Sequence, residues 1–169
     1  MNLLIKKLVA INGCQYKLVL VQENGVETNI CYQVEKAGGL YVQLDSAASE
    51  EQRINNPSIT QAVLSFHRAR TAKYAPPKIP VKNVPPWFDP TPLVLEQIEA
   101  VNDAEYMLNF LEPDGKVHKT IYSVIQLTNE GSSFLGVNTN GDPKITARIY
   151  PKDISAAIVD FHLARYSLQ

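Results

Sequence analysis

The sequence predicts an α+β fold made by tandem duplication of a β-β-β-β-α unit, with a possible fifth short strand in each copy. Residues 3–34 align with residues 93–124 at a constant offset of 90, with eight identities in 32 positions. Residues 58–70 align with 153–165 at an offset of 95, with six identities in 13 positions. Two repeated stretches in the same order indicate an internal repeat. We expect two antiparallel sheets, each followed by one helix, packed as a pseudo-twofold internal dimer.

A proline-rich segment separates the two copies. Residues 1–75 form the first ββββα repeat, residues 76–92 the linker and residues 93–169 the second repeat; the linker holds seven of the chain's 11 prolines. Proline fixes φ and lacks an N–H donor, so this segment is expected to be extended and stiff. We expect Trp87 and Phe88 to dock on the body, because exposed aromatic surface is costly. Each repeat is small, so the two are expected to share a core as one compact unit.

Each copy begins with three predicted strands. In the first copy these are the apolar run 3–11 and the runs 16–21 and 26–34, which are rich in β-forming residues. The turns end in Asn24-Gly25 and Pro113-Asp114-Gly115, which suits a type I turn followed by a glycine in the left-handed region. The resulting register places Tyr16 opposite Tyr32 in the first copy and Tyr106 opposite Tyr122 in the second, each pair on one face.

The later elements of each copy are a fourth strand and a helix. Residues 39–44 and 134–137 predict the fourth strands, and the alternation over 144–149 suggests a fifth strand. Pro57 suits the first position of a helix, and Ser58 with Gln61 offers a capping box. An i, i+4, i+7 spacing predicts the buried stripe of each helix, namely Ile59, Val63 and Phe66 in the first and Ile154, Ile158 and Phe161 in the second.

Composition excludes several classes of protein. The chain has 16 Lys+Arg against 17 Asp+Glu and is 45% hydrophobic, which is atypical of a disordered tail or of a strongly basic nucleic-acid coat. It has no apolar run long enough to span a membrane, and its first residues do not resemble a secretory signal. Cys14 and Cys31 lack metal-ligand spacing, so we expect a cytoplasmic protein without metal or cofactor. The absence of a catalytic motif favours a protein that is not an enzyme.

The candidate binding residues lie at the ends of the two predicted helices. Arg70 and Arg165 fall near the centre of each apolar stripe, where an unpaired arginine is rarely buried. One hypothesis is a pair of symmetric anion sites; the alternative is structural, with each arginine reaching solvent, pairing with an acid or bonding terminal carbonyls. His67 and His162 lie beside them and suit either a general base or a half-buried histidine bonded to a loop. The full set is Arg70, Arg165, His67, His162, Arg53 and Arg148.

The faces of the predicted sheets give a second candidate surface. The paired tyrosines are suited to stacking on nucleobases or to packing in the core, and Leu18 and Ile30 on their face favour the core. The opposite face is half apolar, with Val19 and Val21 in the first copy and Met107, Leu111 and Ile121 in the second. Such a face is poorly suited to water, so we expect the other copy, the linker or a partner to cover it.

Charge differs between the copies. Residues 1–85 hold ten Lys+Arg against six Asp+Glu, a balance of +4, and residues 86–169 hold six against 11, a balance of −5. This asymmetry is suited to attracting a polyanion to the first copy or an oppositely charged protein to either copy. Solvated surface charge without a partner is the alternative explanation.

Four strands and then a helix, twice in succession, is an element order that resembles the layout of Whirly and PUR-type single-stranded nucleic-acid-binding proteins. The resemblance implies binding of single-stranded nucleic acid, for which the first copy offers Lys6, Lys7, Lys17, Arg53, Arg68, Arg70 and Lys73. Near-zero net charge disfavours such binding, which depends on neutralising phosphates.

Our first hypothesis is therefore a non-enzymatic binding or interaction protein with an unknown protein partner. It acts through its sheet surface or its helix-end arginines. The second hypothesis is the binding of single-stranded nucleic acid described above. A third hypothesis places a small-ligand or enzyme site between the repeats, built from His67 with Arg70 and from His162 with Arg165.

Overall fold

The fold is seen in a computed structural model, described here over residues 3–34, 40–44, 56–71, 81–86, 91–149 and 151–168. The first strands are β1 (Leu3–Ala10), β2 (Gln15–Gln22), β3 (Glu27–Val34) and β4 (Leu40–Leu44), followed by helix α1 (Pro57–Thr71). After a 3₁₀ turn at Val81–Asn83 come β5 (Val94–Ala100), β6 (Glu105–Leu111), β7 (Val117–Asn129) and β8 (Ser132–Thr139). Helices α2 (Pro143–Thr146) and α3 (Pro151–Arg165) complete the described elements. Arg53, Trp87 and Phe88 lie outside the described residues.

The eight strands of the described residues belong to one antiparallel sheet, in the order β4-β3-β2-β1-β5-β6-β7-β8. The prediction of two sheets, each followed by one helix in a duplicated unit, is therefore wrong. The two sets of strands join where β1 pairs with β5, with Lys7 opposite Glu99 and Leu8 opposite Ile98. A free strand edge is a template for pairing, and the edges of β1 and β5 satisfy each other. The hydrophobic pattern of a strand shows which side chains face the core but not which edges pair.

The predicted fifth strand over residues 144–149 is also wrong, because this segment begins with helix α2. The Asp142 carboxylate accepts a hydrogen bond from the Lys144 N–H at 2.9 Å, and Pro143 occupies the first turn. An N-terminal capping aspartate followed by proline is a strong helix start. Ile145 and Ile149 are nevertheless buried, so a helical turn accounts for the alternating apolar residues as well as a strand would.

Helices α1 and α3 cover one face of the sheet. The predicted stripes are confirmed, because the three apolar residues of each helix stripe are at most 4% exposed. Asn56 just before α1 bonds Ser167 just after α3, and Ser65 bonds Asp160 midway, so the two helices run antiparallel. The α1 cap differs from the prediction: the Asn56 side chain accepts from the Ile59 N–H, in place of a Ser58 capping box.

The hairpin registers are confirmed. Tyr16 lies opposite Tyr32, and Tyr106 lies opposite Tyr122. Gly25 at φ 85° and Gly115 at φ 91° occupy the left-handed positions that the loops require. All four tyrosines are buried on the helix-covered face, which confirms their place in the core and removes them as a platform for stacked nucleobases.

Candidate functional site: the open face of the sheet

Both helix-end arginines donate to backbone carbonyls of strands. Arg165 is 4% exposed, and its Nε and Nη1 donate to the carbonyl oxygens of Ile5 (3.2 Å) and Asn102 (2.8 Å). Arg70 is half-buried, and its Nη1 donates to the Leu95 carbonyl at 2.5 Å. The Arg70 Nε is buried without a hydrogen-bond partner among the described residues.

Two of these acceptors lie at β-bulges. The register of β1 shifts between Ile5 and Lys7, and that of β5 shifts between Leu95 and Gln97. A bulge disrupts the ladder locally and leaves backbone groups to be satisfied elsewhere. Each helix therefore has an arginine near its C-terminus whose guanidinium donates a hydrogen bond to a bulged strand in the other half of the chain. These contacts favour the structural explanation of the arginines, with strand carbonyls as acceptors in place of helix-end carbonyls; the anion-site hypothesis stays a prediction.

Each histidine beside these arginines is bonded to a core tyrosine. The His67 Nδ1 lies 2.5 Å from the Tyr16 hydroxyl, and the His162 Nδ1 is hydrogen-bonded to the Tyr106 hydroxyl. Burial lowers the pKa of His67 below its ordinary value, and the positive charge of Arg70 lowers it further. The pKa of His162 is lowered in the same way by burial and by Arg165. Both imidazoles are thus held neutral near pH 7, each with one ring nitrogen bonded within the core.

The structure places the two histidine–arginine pairs at opposite ends of the helix pair. Since α1 and α3 are antiparallel, the end of α3 with Arg165 lies beside the start of α1, and Arg70 lies at the far end. A 15-residue helix is about 22 Å long at 1.5 Å per residue. A single small-ligand site that uses both pairs at once would need to span that distance.

Arg148 lies apart from both pairs. It is 6% exposed, its Nε donates to the Thr91 carbonyl at 2.8 Å, and its Nη1 donates to Glu112 Oε1 at 2.5 Å. The same carboxylate oxygen lies 3.3 Å from His118 Nε2. The Arg148 guanidinium holds the pKa of the Glu112 carboxyl below its usual value, with a smaller effect from His118.

The face of the sheet opposite α1 and α3, which we call the open face, carries exposed apolar side chains on β7 and β8, whereas Val19 on the same face of β2 is only 2% exposed. Tyr122 and Val124 on β7 point to the helices, so the alternate residues of this strand lie on the open face. Six apolar side chains of the open face are 37–50% exposed, among them Val94 on β5 and Val117 at the start of β7. The other four lie along β7 and β8 and form what we call the open-face patch: Ile121, Ile125, Leu127 and Phe134. Phe134 on β8 lies opposite Leu127, so the patch crosses both strands.

The sequence pattern predicts only part of this patch. It predicts Ile121 on the half-apolar face but a strand only to residue 124, whereas β7 extends to Asn129. The alternation Ile125-Gln126-Leu127-Thr128 was the available signal for a longer strand. Because the β7–β8 hairpin is longer than predicted, it adds three exposed apolar side chains to the open face.

Charge is unevenly spread across the open face. On β1–β3 it carries three lysines against one glutamate: Lys6, Lys7 and Lys17 against Glu27. On β5–β8 it carries Glu99 and Glu105 against Lys119, and Glu96 occupies the bulge position in β5 that Lys6 occupies in β1. Lys6 forms an ion pair with Glu27 at 2.5 Å, which raises the pKa of Lys6 and lowers that of Glu27. One side of the face is therefore basic and the other is acidic.

Other chemistry is sparse in the described part of the chain. Cys14 is exposed and Cys31 is half-buried. Within the ranges given above there is no group of three or more His, Cys, Asp or Glu side chains placed to hold a metal ion. Among the same residues, none of the helices is both long and apolar enough to cross a membrane. Comparisons with protein-family models, curated proteins and solved structures found no match for this chain.

Proposed function

We propose that this chain is a non-enzymatic interaction protein that binds a protein partner through the open face, and that the partner is a second copy of the chain. The observation that carries the proposal is the open-face patch, in which four large apolar side chains are each 37–50% exposed. Contiguous exposed apolar surface of this kind is typical of protein–protein contacts. The opposite face of the sheet is already covered by α1 and α3.

The patch is continuous across the hairpin. Ile125 lies opposite Gly136, and Leu127 lies opposite Phe134. A Cβ atom added to Gly136 would come within 2.6 Å of Leu127 Cδ1, so the leucine side chain lies over the bare glycine backbone. The glycine thereby lets Leu127 bridge the space between Ile125 and Phe134. The result is a low apolar surface that a second flat surface can cover.

Charge complementarity favours a second copy as the occupant. The open face is basic over β1–β3, with Lys17 as one of its lysines, and acidic over β5–β8, with Glu105 as one of its glutamates. A twofold axis parallel to the strands, in a face-to-face pair of sheets, places the basic side of each copy over the acidic side of the other. Like charges are then kept apart, and the open-face patch of each copy lies over β3 and β4 of the other, where it is shielded from water.

Burial of the open-face patch contributes enough free energy for a dimer of moderate, measurable affinity. Fully burying a large apolar side chain stabilises by about 1.5–3 kcal/mol, so burying the half-exposed portion contributes about 1 kcal/mol per residue. Removing Leu127 and Phe134 costs about 2 kcal/mol in each copy, hence about 4 kcal/mol in a dimer of two variant copies, and weakens the dimer roughly 1,000-fold.

Sedimentation equilibrium on the full chain tests this proposal. We expect concentration-dependent dimerisation that weakens with added salt and is strongly reduced in the Leu127→Ser/Phe134→Ser variant. Leu163→Ser is the matched control, because Leu163 is 54% exposed on α3, on the opposite side of the sheet. A wild-type chain that stays monomeric at every concentration would refute the proposal. Equal loss of dimer in the Leu163→Ser control would refute the location on the open face.

A further inference from the structure

A second feature, independent of the open-face patch, is a cavity between β7 and α2. Its volume is about 380 Å³, which lies within the range of small-ligand sites. His118, Lys119 and Thr120 of β7 form one wall. Asp142 and the residues of α2 and the turn after it form the other wall, with Lys144 and Arg148 among them. The cavity was not predicted, because α2 was expected to be a strand.

Positive charge is concentrated around this cavity. Residues 86–169 hold six Lys+Arg against 11 Asp+Glu, yet three of the six cations, Lys119, Lys144 and Arg148, line this one cavity. The carboxylate that lines it belongs to Asp142, which accepts the Lys144 N–H as the cap of α2. Lys119 and Lys144 are both exposed, and both residues line the cavity.

Arg148 is the buried cation of the lining. This guanidinium is 6% exposed and is held by the Thr91 carbonyl and by Glu112. Glu112 balances the charge of Arg148, so the two lysines against Asp142 leave a net charge of +1 in the rest of the lining. The buried Thr120 and Ile145 supply less polar wall between the charged groups. A pocket lined by one buried, paired guanidinium and two exposed lysines suits a small anion better than a flat polyanion.

We infer that the cavity between β7 and α2 binds a small oxyanion, a phosphate or a carboxylate, through Lys119 and Lys144. Phosphate and carboxylate groups accept the same N–H donors, so the shared chemistry is the recognition of an oxyanion by two lysines. Lys119 lies on β7 and Lys144 on α2, so an oxyanion between them also bridges the sheet to the helix.

Titration of the full chain with inorganic phosphate, followed by amide chemical shifts at constant ionic strength, tests the inference. A parallel titration with butyrate shows whether a carboxylate is accepted as well. We expect saturable shifts confined to residues 118–120 and 142–148, and about tenfold weaker binding in Lys119→Gln/Lys144→Gln. The matched control is Lys116→Gln/Lys152→Gln, since both lysines are exposed in the same half of the chain and do not line the cavity.

The outcomes separate this inference from its alternatives. Saturation by phosphate alone identifies a phosphate site, and saturation by butyrate alone identifies a carboxylate site. Shifts that do not saturate, or that spread over the lysines of the whole surface, would overturn the inference. It would also be overturned if the Lys119→Gln/Lys144→Gln variant and the control bound equally well. The four lysines are exposed, so the variants are expected to keep the wild-type melting temperature, which is measured alongside.

Discussion

Replacement of Arg165 by methionine tests whether the helix-end arginines are structural. Methionine keeps the length and apolar stem of the side chain but removes both hydrogen bonds, to the Ile5 and Asn102 carbonyls. Hydrogen bonds from a charged donor contribute about 1.5–3 kcal/mol, and the Asn102 bond lies in a more exposed position, where water can replace it. We therefore expect Arg165→Met to lower the free energy of unfolding by about 3 kcal/mol.

The expected loss of unfolding free energy depends on how deeply each arginine is buried. Arg70 is less buried than Arg165 and makes one such bond, to the Leu95 carbonyl, so Arg70→Met should cost about 1 kcal/mol. Arg68→Met is the control, because Arg68 is exposed on the same helix, and its effect should stay within about 0.5 kcal/mol. For a chain of this size the Arg165 variant should melt about 6–12 °C lower.

Urea denaturation followed by circular dichroism measures these differences. The midpoint should shift in the order Arg165, Arg70, Arg68, while the slope of free energy against urea stays constant. An Arg165→Met variant as stable as Arg68→Met would refute the reasoning, because the bulge carbonyl would then not depend on the guanidinium. The anion-site hypothesis for Arg70 and Arg165 would gain support from that result.

Three further predictions follow from the same contacts. The folded-state pKa values of His67 and His162 lie below the ordinary value of about 6.5, so the stability that neutral imidazole contributes is present above that pH and lost below it. Between about pH 7.5 and pH 5.5, the melting temperature of a His67→Gln/His162→Gln variant should fall less than that of the wild type. Equal falls in melting temperature would contradict the lowered pKa values of the two histidines. Gly25→Ala should cost about 1 kcal/mol in urea denaturation because φ is 85°, whereas Gly13→Ala, with open space around it, should cost little. Burial raises the pKa of Tyr122 to about 12, and its hydroxyl has no hydrogen-bond partner among the described residues, so Tyr122→Phe should keep or raise the midpoint of unfolding. A lower midpoint would reveal a partner for that hydroxyl.

Features that depend on neighbouring residues were predictable from the sequence. The loop closed by Gly25 fixed the pairing of Tyr16 with Tyr32, because loop length and a left-handed glycine determine hairpin register. The burial of Ile59, Val63 and Phe66 followed from helical spacing alone.

Features that depend on distant parts of the chain were not predictable. The pairing of β1 with β5, which makes one sheet out of the eight strands, joins residues about 90 positions apart. The sequence placed Arg165 at the centre of a helix stripe, but its acceptor on Ile5 lies in the other half of the chain. The alternation of apolar and polar residues over 144–149 is compatible with a strand and with a helical turn. The Asp142 side chain, which accepts a hydrogen bond from the Lys144 N–H, caps the helix and favours it over the strand. The cavity beside α2 could not be inferred without that helix.

The location of the contact between copies tests the central claim most directly. The measurement is the relaxation that a soluble paramagnetic agent causes at the methyl groups of the full chain, at low and at high protein concentration. Our account predicts that Ile121, Ile125 and Leu127 lose this relaxation as the concentration rises, while Leu163 and Val101, which are also exposed, do not. Unchanged relaxation at the three β7 residues, at concentrations where the chain self-associates, would contradict the account.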